Sequence, residues 1–269
     1  MKIQNVRLAY FSPTKTTKTT LESISEGIGV PAEHFDLTLP HADKAEAVAM
    51  KQDELLIIGA PVYAGRIPEV AARRFQKLKS NKSPAVIVVL YGNREYEDAL
   101  IELSDLASAA GFVPVAGGAF IGEHSFSGES APIAMGRPDP SDARCAQEFG
   151  REIRNYLEKV QSFEDIHVPG FPGNRPYREL VQHPPTSPVT NEDQCTQCET
   201  CASVCPVSAI SVSDRVYTEK EKCILCCACI KSCPDEARIF KDPFIAKITE
   251  WLRTEASQRK EPEIFIAQN

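Results

Sequence analysis

The stretch Val6-Arg7-Leu8-Ala9-Tyr10-Phe11-Ser12-Pro13-Thr14-Lys15-Thr16-Thr17 decides the fold of the first part of the chain. A short apolar run is closed by Ser-Pro, and a hydroxyl-rich turn leads straight into helical spacing at Leu21, Ile24 and Ile28, with stops near Gly27 and Gly29. A buried strand that feeds directly into an amphipathic helix is the opening half of a βαβ unit. The same alternation recurs downstream. Leu55–Ala60, Ala85–Leu90 and Phe112–Ile121 read as buried strands, and His34–Leu37 as a weaker one. Leu100, Leu103, Leu106 and Ala110 mark a helix that stops at Gly111, and Phe149, Ile153, Tyr156 and Val160 mark a longer one beginning after Pro140. These stripes are core packing. Five strand–helix alternations predict an α/β domain over residues 1–160, a doubly wound, five-stranded parallel sheet.

Ligands of such sheets sit beyond the carboxyl ends of the strands, so the strand-to-helix junctions carry the functional reading. The first junction holds hydroxyls at Ser12, Thr14, Thr16 and Thr17, a cation at Lys15, and no acid. A helix N-terminus with unpaired N–H groups and surplus hydroxyl donors suits a phosphate. One helix cap uses only one such hydroxyl. Neither GxxxxGK[ST] nor GxGxxG is present, which argues against a P-loop nucleotide or a dinucleotide. The second junction is Pro61-Val62-Tyr63-Ala64-Gly65-Arg66 and the third Tyr91-Gly92-Asn93-Arg94, each with an aromatic ring beside glycine. Together they predict a flat stacking surface and free backbone N–H groups for a planar heterocycle. At a further strand end, His124 is a candidate to hydrogen-bond that ring or shuttle a proton, since a free imidazole titrates near pH 6.5. Arg137, beside Pro138 and Asp139, reads as a salt bridge closing the final helix.

On these residues the first part resembles flavodoxin. Ser12-Pro13-Thr14-Lys15-Thr16-Thr17 is similar to that family's S/T-x-T-G-x-T phosphate loop, with Lys15 standing where the family usually has glycine. The resemblance implies FMN, its phosphate held by Ser12, Thr14, Lys15, Thr16 and Thr17. The isoalloxazine ring would lie among Pro61, Val62, Tyr63, Ala64, Gly65, Arg66, Tyr91, Gly92 and Asn93, with His124 nearby.

Nine of the ten cysteines lie between Cys195 and Cys233, and Cys145 stands apart. Without a secretion signal, clustered thiols point to metal rather than disulfides. Cys195-x2-Cys198-x2-Cys201-x3-Cys205-Pro206 is repeated as Cys223-x2-Cys226-x2-Cys229-x3-Cys233-Pro234. Zinc fingers use paired CxxC units roughly a dozen or more residues apart, which this is not. The pattern resembles bacterial ferredoxin, in which the fourth cysteine of each run serves the other cluster. The resemblance implies one [4Fe–4S] cluster on Cys195, Cys198, Cys201 and Cys233, and another on Cys223, Cys226, Cys229 and Cys205. Cys227 falls out of register and is expected to be a buried neighbour. Val204, Ile210, Val216, Ile224, Ile230 and Ile239 are expected to shield the clusters.

The ferredoxin-like part is expected over residues 191–241, in a small α+β fold. A connector over 161–190 holds six prolines from Pro169 to Pro188, with Phe171 and Tyr177 to bury. Proline excludes helix there and nearly excludes regular sheet. Residues 242–269 are expected to form a docking helix, with Phe244, Ile245, Ile248, Trp251 and Leu252 on one face, and a tail. No cofactor role is expected for Trp251.

Lys and Arg number 30 against 37 Asp and Glu, a net charge of −7, which argues against nucleic acid and against a polybasic membrane patch. No window approaches the ~20 apolar residues of a membrane span, and MKIQNVRLAYFSP lacks a signal-peptide pattern, so a cytoplasmic location is expected. The whole resembles the flavodoxin–ferredoxin fusion proteins of anaerobic microbes. That resemblance implies an electron-transfer flavoprotein exchanging electrons with a redox partner protein. One alternative is an FMN-dependent reductase of a small organic acceptor, with His124, Tyr63 and Arg66 at the substrate. Another, resting on Lys15, is a cluster-bearing module without flavin.

Overall fold

A computed structural model describes residues 1, 3–162, 165–180 and 184–267. The expected connector is thus described except at 163–164 and 181–183, and the tail except at 268–269. In chain order the elements are β1 (Asn5–Tyr10), α1 (Thr16–Ile28), β2 (Ala32–Asp36), β3 (Val48–Met50), β4 (Glu54–Pro61), α2 (Glu69–Phe75), β5 (Leu78–Ser80), β6 (Pro84–Tyr91), α3 (Ala99–Ala109), β7 (Val113–Ile121) and α4 (Pro140–Lys159). They continue with β8 (Val189–Thr190), α5 (Thr200–Ser203), β9 (Ile210–Val212), β10 (Val216–Thr218), α6 (Ala228–Lys231), β11 (Arg238–Ile239), α7 (Pro243–Glu255) and β12 (Glu263–Ile266).

The main sheet runs β12-β7-β6-β4-β1-β2. Its five long parallel strands follow the flavodoxin-like order, with the reversal between β1 and β4. β4 and β6 are buried along their whole length, as unbroken apolar runs between two helical layers must be. On one face α1 and α4 cover Leu8, Leu55, Val86 and Phe120, while on the other α2 and α3 cover Ala9, Leu56, Ile87 and Ala119. Gly27 lies inside α1 rather than ending it. A Cβ at that position would come within 2.0 Å of the Gln147 carbonyl of α4, so glycine here serves helix contact. The helix ends one turn-residue later at Gly29, which is left-handed.

The sheet has a sixth strand that periodicity did not reveal. β12 pairs antiparallel with β7, from Glu263 opposite Ala119 to Ile266 opposite Ala116. The expected tail is therefore part of the first domain's sheet, and it covers an otherwise open edge. The cysteine-rich segment is thereby enclosed between two pieces of one sheet. Within that segment β9 pairs with β10 and β8 with β11, both antiparallel.

Three sets of contacts fasten the parts together. The connector is tied by the Asp98 carboxylate, which accepts from the backbone of Asn174 at 2.8 Å and of Arg178 at 2.7 Å. Phe171 packs edge-on to Phe265 of β12, and the Tyr177 hydroxyl donates to Asp105 at 2.6 Å. The cysteine-rich lobe meets the sheet domain through Lys231, which pairs with Glu123, and through the T-shaped contact of Phe126 with Phe240. The third set centres on Arg74, only 1% exposed. Its guanidinium donates to both oxygens of Asp43, to the carbonyls of Leu37 and Thr38, and, at 2.9 Å, to the carbonyl of Pro206 beside Cys205.

Removing Arg74 leaves Asp43 only the exposed Arg73 at 3.3 Å and takes this donor from three carbonyls; breaking a buried pair costs on the order of 3–5 kcal/mol. Because Asp43 keeps some water contact, Arg74→Leu is expected to lower stability by about 3 kcal/mol, read as a fall in the urea midpoint with unchanged slope.

Candidate functional site

A cleft of about 1640 Å³, counting its open mouth, lies beyond the carboxyl ends of β1, β4, β6 and β7. At one end are Thr14 and Thr16 at the N-terminus of α1. The N-cap residue Lys15 makes no side-chain cap and the first turn holds no acid, so apart from the Lys18 N–H, which Ser12 takes, the helix terminus brings its partial positive charge to the cleft. Lys15 takes a left-handed conformation (φ 68°), the geometry that glycine adopts without strain, and its side chain is exposed. The backbone of this loop is kept at the cost of a strained residue.

The remaining hydroxyls have other duties. Ser12 is buried, with its N–H donating to Thr38 Oγ1 at 2.9 Å and its Oγ accepting from the Lys18 N–H at 3.0 Å. Thr17 is buried with its Oγ1 unpaired among the described residues. Ser12 and Lys15 thus shape the loop, Thr17 keeps a buried hydroxyl unpaired among the described residues, and Thr14 and Thr16 line the cleft.

Pro61, Val62, Tyr63, Ala64 and Gly65 line the cleft, and Arg66 does not. Its guanidinium is held by both oxygens of Glu102 at 2.7 Å, donates to the Arg178 carbonyl and lies over the Tyr177 ring. This corrects the expectation that it contacts a ligand. Tyr91 and Gly92 line the cleft, but the Tyr91 ring is 3% exposed and packs on Tyr96. Tyr63 is left as the accessible aromatic of the two junctions. Asn93 is a second correction. Its amide donates to the carbonyls of Ala256 and Gln258, both at 2.7 Å, and its oxygen accepts from the Lys260 N–H at 3.1 Å. It fastens the chain after α7 and offers nothing to the cleft.

His124 lines the cleft, but not as a group poised near neutrality. Burial, with Arg94 and Lys231 nearby, lowers its pKa to about 4. Nδ1 accepts from the Phe126 N–H at 3.0 Å, which leaves Nε2 as the protonated nitrogen. A Cβ at Gly92 would meet the imidazole at 2.2 Å, so glycine makes room for the ring.

The expected docking helix walls the cleft: Phe244, Ile245, Ile248, Trp251 and Leu252 of α7 all line it, Trp251 being 51% exposed. The spacing marked α7 as amphipathic, but its docking surface depends on Asn93, far away in sequence.

The thiols gather round two recesses. One, of about 310 Å³, is lined by Cys195, Cys198, Cys201 and Cys233; the other, of about 350 Å³, by Cys205, Cys223, Cys226 and Cys229. Each fourth cysteine has crossed to the other run's recess. The two runs share one backbone device, left-handed residues at Gln197 and Glu199 in the first and at Leu225 and Cys227 in the second. The fourth sulfurs accept matching bonds, Cys205 from the Ala209 N–H at 3.2 Å and Cys233 from the Ala237 N–H at 3.3 Å. Burial pushes the Cys226 thiol up to about 12 and the Cys229 thiol to about 11. Cys198 is exposed, and its pKa is lowered by the Thr200 hydroxyl. Cys227 is 2% exposed, with its Sγ 3.5 Å from the Leu225 carbonyl, and borders the second recess out of register with its three neighbours. All ten cysteines are free thiols.

The second recess adjoins the cleft. Ile224 lines both, and the Tyr63 hydroxyl, raised well above its ordinary range by burial and then by Cys226 and Cys227, hydrogen-bonds with Ser125 between them.

The 4Fe-4S binding domain family matches residues 188–211. No curated protein matches the chain. Among solved structures, a flavodoxin from the domain Archaea covers 57% of this chain and 99% of its own at 14% identity and TM-score 0.37. A flavodoxin of Streptococcus pneumonia TIGR4 covers 58% and 99% at 12% identity and TM-score 0.39. The flavodiiron core Flv1 from Synechocystis covers 59% at 19% identity and TM-score 0.40, with 37% of that chain matched. The strand order described above, rather than these likenesses, establishes the architecture. One chain thus joins a flavodoxin-like α/β domain to a ferredoxin-like 4Fe–4S binding domain.

Because the His124 pKa is lower in the folded protein than in the unfolded chain, unfolding takes up a proton between about pH 6.5 and about 4. Stability is therefore expected to fall as pH drops through that window. His124→Gln should remove this part of the slope, read by chemical denaturation at successive pH values.

Proposed function

We propose that this protein is a cytoplasmic electron-transfer iron–sulfur flavoprotein with two [4Fe–4S] clusters and FMN. The observation that carries the reading is the order of the three sites: an exposed cysteine at the outer recess, a buried inner recess, and a cleft sharing Ile224 with the inner one. Cys195, Cys198, Cys201 and Cys233 would hold the outer cluster, and Cys205, Cys223, Cys226 and Cys229 the inner one. Thr14, Thr16 and the open end of α1 suit the FMN phosphate, and Tyr63, Gly65, Gly92 and the lid residues of α7 suit its ring. Bound there, the clusters supply one-electron carriers and the flavin a centre that takes one electron or two.

The chain's own residues exclude water and fix positions. Arg74 and Lys231 hold the inner recess against the sheet domain. His124 offers a neutral N–H to the cleft without adding charge. Among the described residues no helix is long and apolar enough to cross a membrane. A redox protein meeting the Cys198 side is the natural partner.

A second reading, a flavin-dependent reductase of a small organic acceptor, draws support from the aromatic lid. Phe244 and Trp251 give the cleft an apolar wall on the side away from the strand-end loops. Arg66 has no part in that reading, since Glu102 holds it.

Iron, sulfide and FMN measured on one anaerobic sample are expected to give about eight irons and one FMN per chain, both chromophores bleaching on stepwise reduction. Eight irons without FMN, even after FMN is added, would refute the flavin half. Turnover with small acceptors would favour the reductase. Cys227→Ser is expected to keep the full iron content, whereas Cys226→Ser should lose about half; equal iron in both would overturn the ligand assignment.

A further inference from the structure

Arg238, on β11, is the most deeply buried charge of the cysteine-rich lobe, 2% exposed. Nη1 donates to Thr190 Oγ1 at 2.6 Å, and Nη2 to the Pro188 carbonyl at 2.9 Å and Thr218 Oγ1 at 2.8 Å. All three acceptors are neutral. Among the described residues no carboxylate lies within ion-pair distance of it, and its buried Nε–H has no partner among the protein atoms. Arginine side chains stay charged in proteins, and an uncompensated buried cation is strongly unfavourable. Something anionic must complete this arrangement.

The surroundings identify it. Arg238 lines the recess of Cys195, Cys198, Cys201 and Cys233, while Pro188 and Thr218, which hold it, line the recess of Cys205, Cys223, Cys226 and Cys229. The guanidinium therefore stands between the two ligand sets.

We propose that Arg238 is the shared counter-charge of the two cluster sites and holds both reduction potentials up. The inference rests on the two-cluster reading above. A cubane with four thiolates is an anion. An electron delivered to it by an external one-electron donor would make its charge one unit more negative. A fixed cation between two such anions favours the reduced form of each, because net charge and hydrogen bonding around the sulfurs set cluster potentials.

Arg238→Gln and Arg238→Lys separate charge from shape. Gln keeps a hydrogen-bonding amide and loses the charge; Lys keeps the charge and loses the planar fork. Iron and sulfide would be measured first, then each protein titrated anaerobically with dithionite and mediators and followed by EPR. In Gln the potential of at least one cluster is expected to fall by at least about 59 mV, a tenfold change in the reduction equilibrium of a one-electron couple. Lys should stay near the wild type. If Gln fails to hold iron, Lys should still hold it. Lys behaving like Gln, in potential or in iron content, would make Arg238 a mere clamp and overturn the proposal, as would potentials unchanged in Gln. A wild-type protein without eight irons would instead refute the two-cluster reading on which the proposal stands.

Discussion

The pairing of β12 with β7 is the constraint on which the rest depends. It brings the chain back to the first sheet after the cysteine-rich lobe, so that lobe is tethered at both ends. On the way back, Asn93 grips the carbonyls of Ala256 and Gln258, Arg137 donates to the Lys260 carbonyl, and the Tyr96 hydroxyl donates to Glu263 at 2.8 Å. These contacts fix where α7 ends and therefore which of its side chains face the cleft. The returning strand adds a second anchor to the helix that carries Trp251 and Phe244, which already packs Ile248, Leu252 and Ala256 against Phe126 and Ile133. Trp251 and Phe244 wall a cavity whose other sides come from four strand ends and from Ile224.

What was legible in the sequence follows the range of the interactions involved. The parallel strands were readable because each is a local apolar run, and the cysteine runs because the ligand spacing is itself local. Thr14, Thr16, Tyr63, Gly92 and His124 were found because their position at a strand end is enough to aim them. Arg66 and Asn93 were misread for the opposite reason. Their partners, Glu102 and the segment 256–260, lie far along the chain, and nothing in either loop announces them. The same holds for β12, whose four residues carry too little pattern to be recognised, and for Arg238, whose neighbours Thr190 and Thr218 come from two other strands. For His124 the sequence located the ring, while burial and two nearby cations set its protonation and speak against a proton shuttle near neutral pH.

Lys15 shows how a local rule can be broken and the motif still kept. The loop needs a left-handed residue before α1, and lysine occupies that conformation. Such strain persists only where surrounding contacts over-determine the backbone. Ser12, bonded to both Thr38 and Lys18, supplies them on either side of the strained residue.

The enclosure of the cysteine-rich lobe also orders the protein's maturation. Domains fold largely as they emerge from the ribosome, N-terminal parts first. Here β7 emerges long before the strand that covers it, and the entire cysteine-rich segment must be made in between. During synthesis the edge of β7 stands bare beside thiols that carry no metal, two hazards present at once. The edge is sealed only when the chain has passed through the lobe, so completion of the first sheet waits on synthesis of the cysteine-rich segment, although the two lie in separate lobes.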